Sequence, residues 1–150
     1  MSDRQKPQLN QKWINHHAFG IVKALQSQGH ETYLVGGCVR DLLLGIQPKD
    51  FDIVTDAKPN EVRKIIRNAY VIGKRFRLVL VKRNEHQFEV ATFRRNIRED
   101  EDPADLPSGD NIFGSPKEDA NRRDFTINAM FYDPVNEKLI DFSQGLTDLE

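Results

Sequence analysis

With a single cysteine, Cys38, among 150 residues, the chain has no internal disulfide, and this usage fits a reducing compartment. No apolar run approaches the ~20 residues needed to cross a bilayer. The opening Met1-Ser2-Asp3-Arg4-Gln5-Lys6 has no hydrophobic signal core. A cytoplasmic protein with no membrane contact is expected. Strong net charge is also missing: the formal total is −1, so the overall balance does not announce a polyanion binder. His16, His17, His30 and His86 lack metal-ligand spacing with one another or with Cys38, and no neighbouring histidine marks Cys38 as a nucleophile. Gly73-Lys74 is not a Walker loop, because Asn68 stands where its first glycine belongs and Arg75 follows the lysine in place of Ser or Thr. There are no repeats or low-complexity tracts.

Hydrophobic residues at 38% and charged residues at 30% suffice for one core, and the length is too short for two comfortable domains. The charges are uneven. Lys74, Arg75, Arg77, Lys82, Arg83, Arg94, Arg95 and Arg98 make a basic middle, followed by acidic Glu99, Asp100, Glu101, Asp102 and Asp105. A local basic face can track a polyanion despite a neutral total, which makes Lys74, Arg75 and Arg77 candidates for RNA or nucleotide phosphate contacts. A merely solvated face explains the charges equally well.

Residues 1–12 read as a flexible polar tail and 13–150 as one domain. Ile14, Ala18, Ile21, Val22 and Leu25 recur at helical spacing, with Gly29 as the stop. Thr32 to Val35 is a strand entering Gly36-Gly37, and a helix runs from Val39 to Leu44. Phe51 to Thr55 is a second strand, Pro59 to about Asn68 a helix, and Tyr70 to Ile72 is extended. Leu78 to Val81 and Phe88 to Phe93 form a hairpin. Residues 96–117, with three prolines and two glycines, read as a long mobile loop. A last helix is expected over Glu118 to Met130, then a strand near Lys138 to Phe142. The ending Gly145-Leu146-Thr147-Asp148-Leu149-Glu150 reads as the start of another helix, as in a domain cut from a longer protein.

Asp50-Phe51-Asp52 carries the chemistry. Carboxylates at i and i+2 on a strand share a face, while Phe51 points into the core. Aspartate is a poor strand former, and capping of the Pro48-Lys49 turn is the plain alternative. Two acids facing one way suit paired Mg²⁺ (or Mn²⁺) ions, which need few protein carboxylates when phosphate oxygens complete the shell. Glu89 is a candidate third acid, since Phe88 and Val90 take the opposite face of its strand.

Gly36-Gly37 lets backbone approach a phosphate, and the following helix offers unpaired N–H groups. Arg40 can reach the same anion, with Asp41 holding it. In the last helix Ala120, Asp124, Ile127, Asn128 and Phe131 share one face. Asp124 therefore needs a partner such as Arg123, Arg40 or a ligand hydroxyl.

Three ordered motifs, Leu34-Val35-Gly36-Gly37-Cys38-Val39-Arg40-Asp41-Leu42-Leu43-Leu44-Gly45, Lys49-Asp50-Phe51-Asp52-Ile53-Val54-Thr55 and Arg122-Arg123-Asp124-Phe125-Thr126-Ile127-Asn128-Ala129, resemble the head domain of the bacterial poly(A) polymerase and CCA-adding tRNA nucleotidyltransferase family, class II of the polymerase β-like superfamily. Val71 to Val79 and Asp110 to Ser115 look like the poly(A) polymerase branch, although Leu80 stands where that branch often has histidine. The resemblance implies an α+β head with a mixed sheet of about five strands backed by helices. It implies that Asp50 and Asp52 bind Mg²⁺, that Gly36, Gly37 and Arg40 meet the triphosphate of ATP, and that Arg123 and Asp124 belong to the nucleotide site. Asp124 and Glu89 both stand as the remaining active-site acid. Transfer of AMP from ATP to an RNA 3′ end is then the expected activity. CCA addition to tRNA and a non-catalytic nucleotide- or RNA-binding domain are the alternatives. In the family, the groups that choose the base lie in the domain after the head, and nothing in the chain speaks to oligomeric state.

Overall fold

The structure, a computed structural model, describes residues 9–73, 78–95, 100–102, 104, 113–123, 128–142 and 148. After a short 3₁₀ helix at Gln11–Trp13, the elements run α1 (His16–Ser27), β1 (Thr32–Val35), α2 (Gly37–Leu43), β2 (Asp52–Thr55), α3 (Pro59–Ile65), β3 (Ala69–Ile72), β4 (Leu78–Arg83), β5 (His86–Thr92), α4 (Pro116–Asn121), β6 (Met130–Asp133) and β7 (Lys138–Asp141).

The strands make one mixed sheet in the order β3-β4-β5-β2-β1-β6-β7, seven strands where about five were expected. The central pair β2 and β5 is parallel, and the other pairs are antiparallel.

Alternation of side chains divides the sheet into two faces. Leu34, Ile53, Val81, Phe88 and Val90 are buried on one, under Ala18, Ile21, Val22 and Leu25 of α1, Val39 and Leu42 of α2 and Val62 of α3. Tyr33, Val35, Val54, Phe93, Phe131 and Ile140 are buried on the other, with Ala120 of α4. The first face is closed by helices. Among the described residues, the second is covered only in part, and the open part holds the acids.

Several expected boundaries move. Residues 9–12, assigned to the tail, are ordered: Leu9 packs against the core, Asn10 caps the 3₁₀ helix, and Gln11 Nε2 donates to the Tyr132 hydroxyl. Helix α3 stops at Ile65, because Ile66 is extended and Asn68 turns left-handed at φ 53°. The last helix starts earlier than expected, at Pro116. Ser115 caps it, accepting from Glu118 N while the Glu118 carboxylate accepts from Ser115 N. Met130 and Phe131, expected at the end of that helix, lie instead in β6, where Phe131 pairs with Val35. Helical spacing in the sequence yields here to the strand partner that β1 provides.

Candidate active site

Strand β1 runs antiparallel to β2 with Val35 opposite Asp52, so the chain leaves β1 beside the aspartates. The turn residue Gly36 has φ 81°, which a side chain would strain, and a Cβ there would lie 3.9 Å from Asp52 Oδ2. A Cβ on Gly37 would lie 3.2 Å from Arg40 Nη2. The Arg40 guanidinium thus folds back over the glycine, and Asp41 Oδ1 accepts from its Nε and Nη2, each at 3.2 Å.

Asp50 and Asp52 are exposed while Phe51 between them is buried. In the parallel pairing, Asp52 stands opposite Glu89, and Leu80 is the partner of Glu89 on the next strand. The two acids therefore share the partly covered face.

The aspartates separate two open clefts. One, of about 350 Å³, is lined by Gly37, Arg40, Gln47 and Lys49 together with Asp50 and Asp52. The other, of about 390 Å³, is lined by Leu80, Gln87 and Glu89 with the same two aspartates. The first cleft carries cationic donors and the second adds an acid.

Asp52 titrates above the usual aspartate range. Partial desolvation of its carboxyl is the largest cause, Glu89 and Asp50 push the same way, and Arg123 opposes them. A carboxylate destabilised by its acidic neighbours is a site that a cation would relieve, so Asp50 and Asp52 fit divalent ions. Among the described residues, no group of three or more His, Cys, Asp or Glu is placed to hold a metal ion.

Arg123 is the cation whose charge acts on Asp52. It is held by Asp119, a wholly buried carboxylate whose Oδ1 lies 3.0 Å from Arg123 Nε and 2.9 Å from Nη2. Sequence reasoning passed over Asp119. Its signal was the i, i+3 and i, i+4 spacing to Arg122 and Arg123 on one helix. Asp124, Lys74, Arg75 and Arg77 lie outside the described residues.

Cys38 lies on the floor of the first cleft, buried, with Sγ 3.4 Å from Val35 O. Burial raises its thiol to about 12, against smaller opposing effects of backbone hydrogen bonds, so it is a packing residue at neutral pH. No described helix is long and apolar enough to cross a membrane.

Residues 32–150 match the poly(A) polymerase head domain. The chain is 44% identical over 155 aligned residues to poly(A) polymerase I of Salmonella typhi, covering 98% of this chain and 33% of that protein. It is 41% identical over 134 residues to the CCA-adding enzyme of Bacillus pumilus, covering 89% of this chain and 33% of the relative. Among solved structures, the Bacillus stearothermophilus CCA-adding enzyme in complex with CTP superposes with a TM-score of 0.72 at 34% identity, over 89% of this chain and 31% of that one. The chain thus spans about a third of the length of its relatives. The glycine turn, the paired aspartates and the seven-stranded sheet that sets them side by side belong to a chain of the poly(A) polymerase head domain family, whose named relatives are nucleotidyltransferases.

Proposed function

We propose that this chain is the catalytic head of a polynucleotide adenylyltransferase, transferring AMP from ATP to an RNA 3′ end and releasing pyrophosphate. One observation carries the reading: Asp52 and Glu89 stand opposite each other on the sheet face that also bears Asp50, next to the cleft lined by Gly37 and Arg40. The 44% identity to poly(A) polymerase I, over 98% of this chain and 33% of that protein, is the support for the poly(A) branch over the CCA-adding one, matched at 41%.

In this reading the triphosphate lies in the first cleft. Gly36 and Gly37 leave room for it, and Arg40, oriented by Asp41, donates to its oxygens. Asp50 and Asp52 hold Mg²⁺, which when bound neutralises phosphate charge and activates the attacking hydroxyl. Glu89 adds a third carboxylate on the side where the RNA end enters. The 3′-hydroxyl attacks the α-phosphate in line with the departing pyrophosphate, and Arg40 and Arg123 offset the charge that builds on the leaving group. No covalent intermediate with the protein is needed. Asp124 as a further site acid, and Lys74, Arg75 and Arg77 as phosphate contacts, complete the proposal.

The test is incorporation from ATP and from CTP, each with unstructured RNA and with tRNA lacking its 3′ end. The expected product is an A tail on unstructured RNA that depends on Mg²⁺. Addition of C, C and A to tRNA alone would move the assignment to tRNA repair, and absence of any Mg²⁺-dependent product would leave a binding domain.

A further inference from the structure

Asp119 has no part in the reading above, yet among the described residues it is a wholly buried acid. Its side chain has no solvent exposure, and a buried carboxylate persists only when its lone pairs are filled. Four N–H groups fill them. Oδ1 accepts from Arg123 Nε and Nη2, and Oδ2 accepts from Arg94 N at 2.8 Å and Arg122 Nη2 at 3.3 Å.

The Arg94 contact ties this carboxylate to the sheet. Arg94 follows β5, the strand that carries Glu89, and bridges to Phe113. Gly114 N donates to Phe93 O at 2.8 Å, and a Cβ on Gly114 would meet Arg94 C at 3.1 Å. Helix α4 is therefore clamped against the end of β5. Arg40 offers a contrast within the same site. Its side chain is 37% exposed, and the bonds that hold it come from the adjacent Asp41.

We propose that Asp119 is a positioning residue for the nucleotide site, fixing the Arg123 guanidinium in place before nucleotide arrives. The inference rests on the nucleotidyltransferase reading and deepens it. An arginine fixed in advance loses little freedom on meeting phosphate, whereas a free one must be ordered at the cost of affinity. Asp119 also keeps Arg122 and Arg123, two adjacent cations, from repelling one another out of place.

The experiment is a double-mutant cycle on Mg·ATP affinity, measured by calorimetry with the full chain: wild type, Asp119→Asn, Arg123→Ala and the double variant. Asparagine keeps the shape but can accept on one side only, so Asp119→Asn should weaken Mg·ATP binding about tenfold. Arg123→Ala should weaken it at least as much, and the double variant should match Arg123→Ala alone. A purely structural role would give additive losses, which overturns the proposal. Should Asp119→Asn fail to fold, the wild-type protein decides. A slowly exchanging Arg123 Nε–H resonance without nucleotide, assigned by its loss in Arg123→Lys, supports the inference, and rapid exchange overturns it. Wild-type protein that binds no Mg·ATP overturns the proposed function and this inference together, whereas wild-type binding with an additive cycle overturns this inference alone.

Discussion

The two faces of β2 and β5 are built from alternate residues of the same two short segments, yet they do opposite work. On one, Phe51, Ile53, Phe88 and Val90 lie under three helices and see almost no water. On the other, Asp50, Asp52 and Glu89 stand open between two clefts, and apolar packing resumes only further along, at Val54 and Phe93. Alternation along a strand turns one sequence into a wall and a working surface. Stability and chemistry are thereby assigned to neighbouring residues, and they should separate under mutation.

The largest separation is expected at Asp52. Asp52→Asn should lower incorporation by at least about 10³-fold, roughly 4 kcal/mol of transition-state stabilisation. The fold should gain. Folding raises the pKa of Asp52, so its ionised form is worse off in the folded chain, and stability falls as pH rises from the ordinary aspartate range through the raised value. The variant should melt about 2 °C higher at pH 7, a small shift because the group is exposed, and show no gain near pH 3. Melting curves at the two pH values check this, and a variant that is both active and less stable breaks the comparison.

Ile53, one residue on and 1% exposed, should behave in the opposite way. Ile53→Ala should cost about 3 kcal/mol of stability and lower Tm by roughly 9 °C, while incorporation per folded molecule stays near wild type. Denaturant titration alongside activity at low temperature tests it.

Glu89→Gln should fall between Asp52→Asn and wild type, losing roughly 10- to 100-fold in rate and requiring more Mg²⁺ for half-maximal activity. Unchanged rate and Mg²⁺ dependence would remove Glu89 from the acidic set. The smallest effect concerns Cys38, whose buried thiol, pushed up to about 12, should resist iodoacetamide at pH 8 until the chain is unfolded. Rapid alkylation of the native protein would show that the floor of the first cleft is open.

The working face was legible in the sequence because its rule is local. Asp50-Phe51-Asp52 and Phe88-Glu89-Val90 each encode their faces by alternation, and Gly36-Gly37 marks the turn by backbone freedom alone. What escaped depends on distant partners. Met130 and Phe131 fit helical spacing as well as strand spacing, and only the exposed edge of β1 decides between them. Asp119 looked like an ordinary acid in a helix, because its burial follows from α4 meeting Arg94, 25 residues earlier in the chain. The 3₁₀ helix at Gln11–Trp13 likewise meets a distant partner, since Gln11 bonds to Tyr132, 121 residues away.

A crystal structure of the protein with Mn²⁺ and a non-hydrolysable ATP analogue tests the shared acidic face most directly, since anomalous scattering locates the ion without assumption. The account predicts a peak within about 2.5 Å of carboxylate oxygens of both Asp50 and Asp52, with the triphosphate beside Gly37 and Arg40. Mn²⁺ bound elsewhere, or nucleotide bound with neither aspartate touching metal, would contradict it.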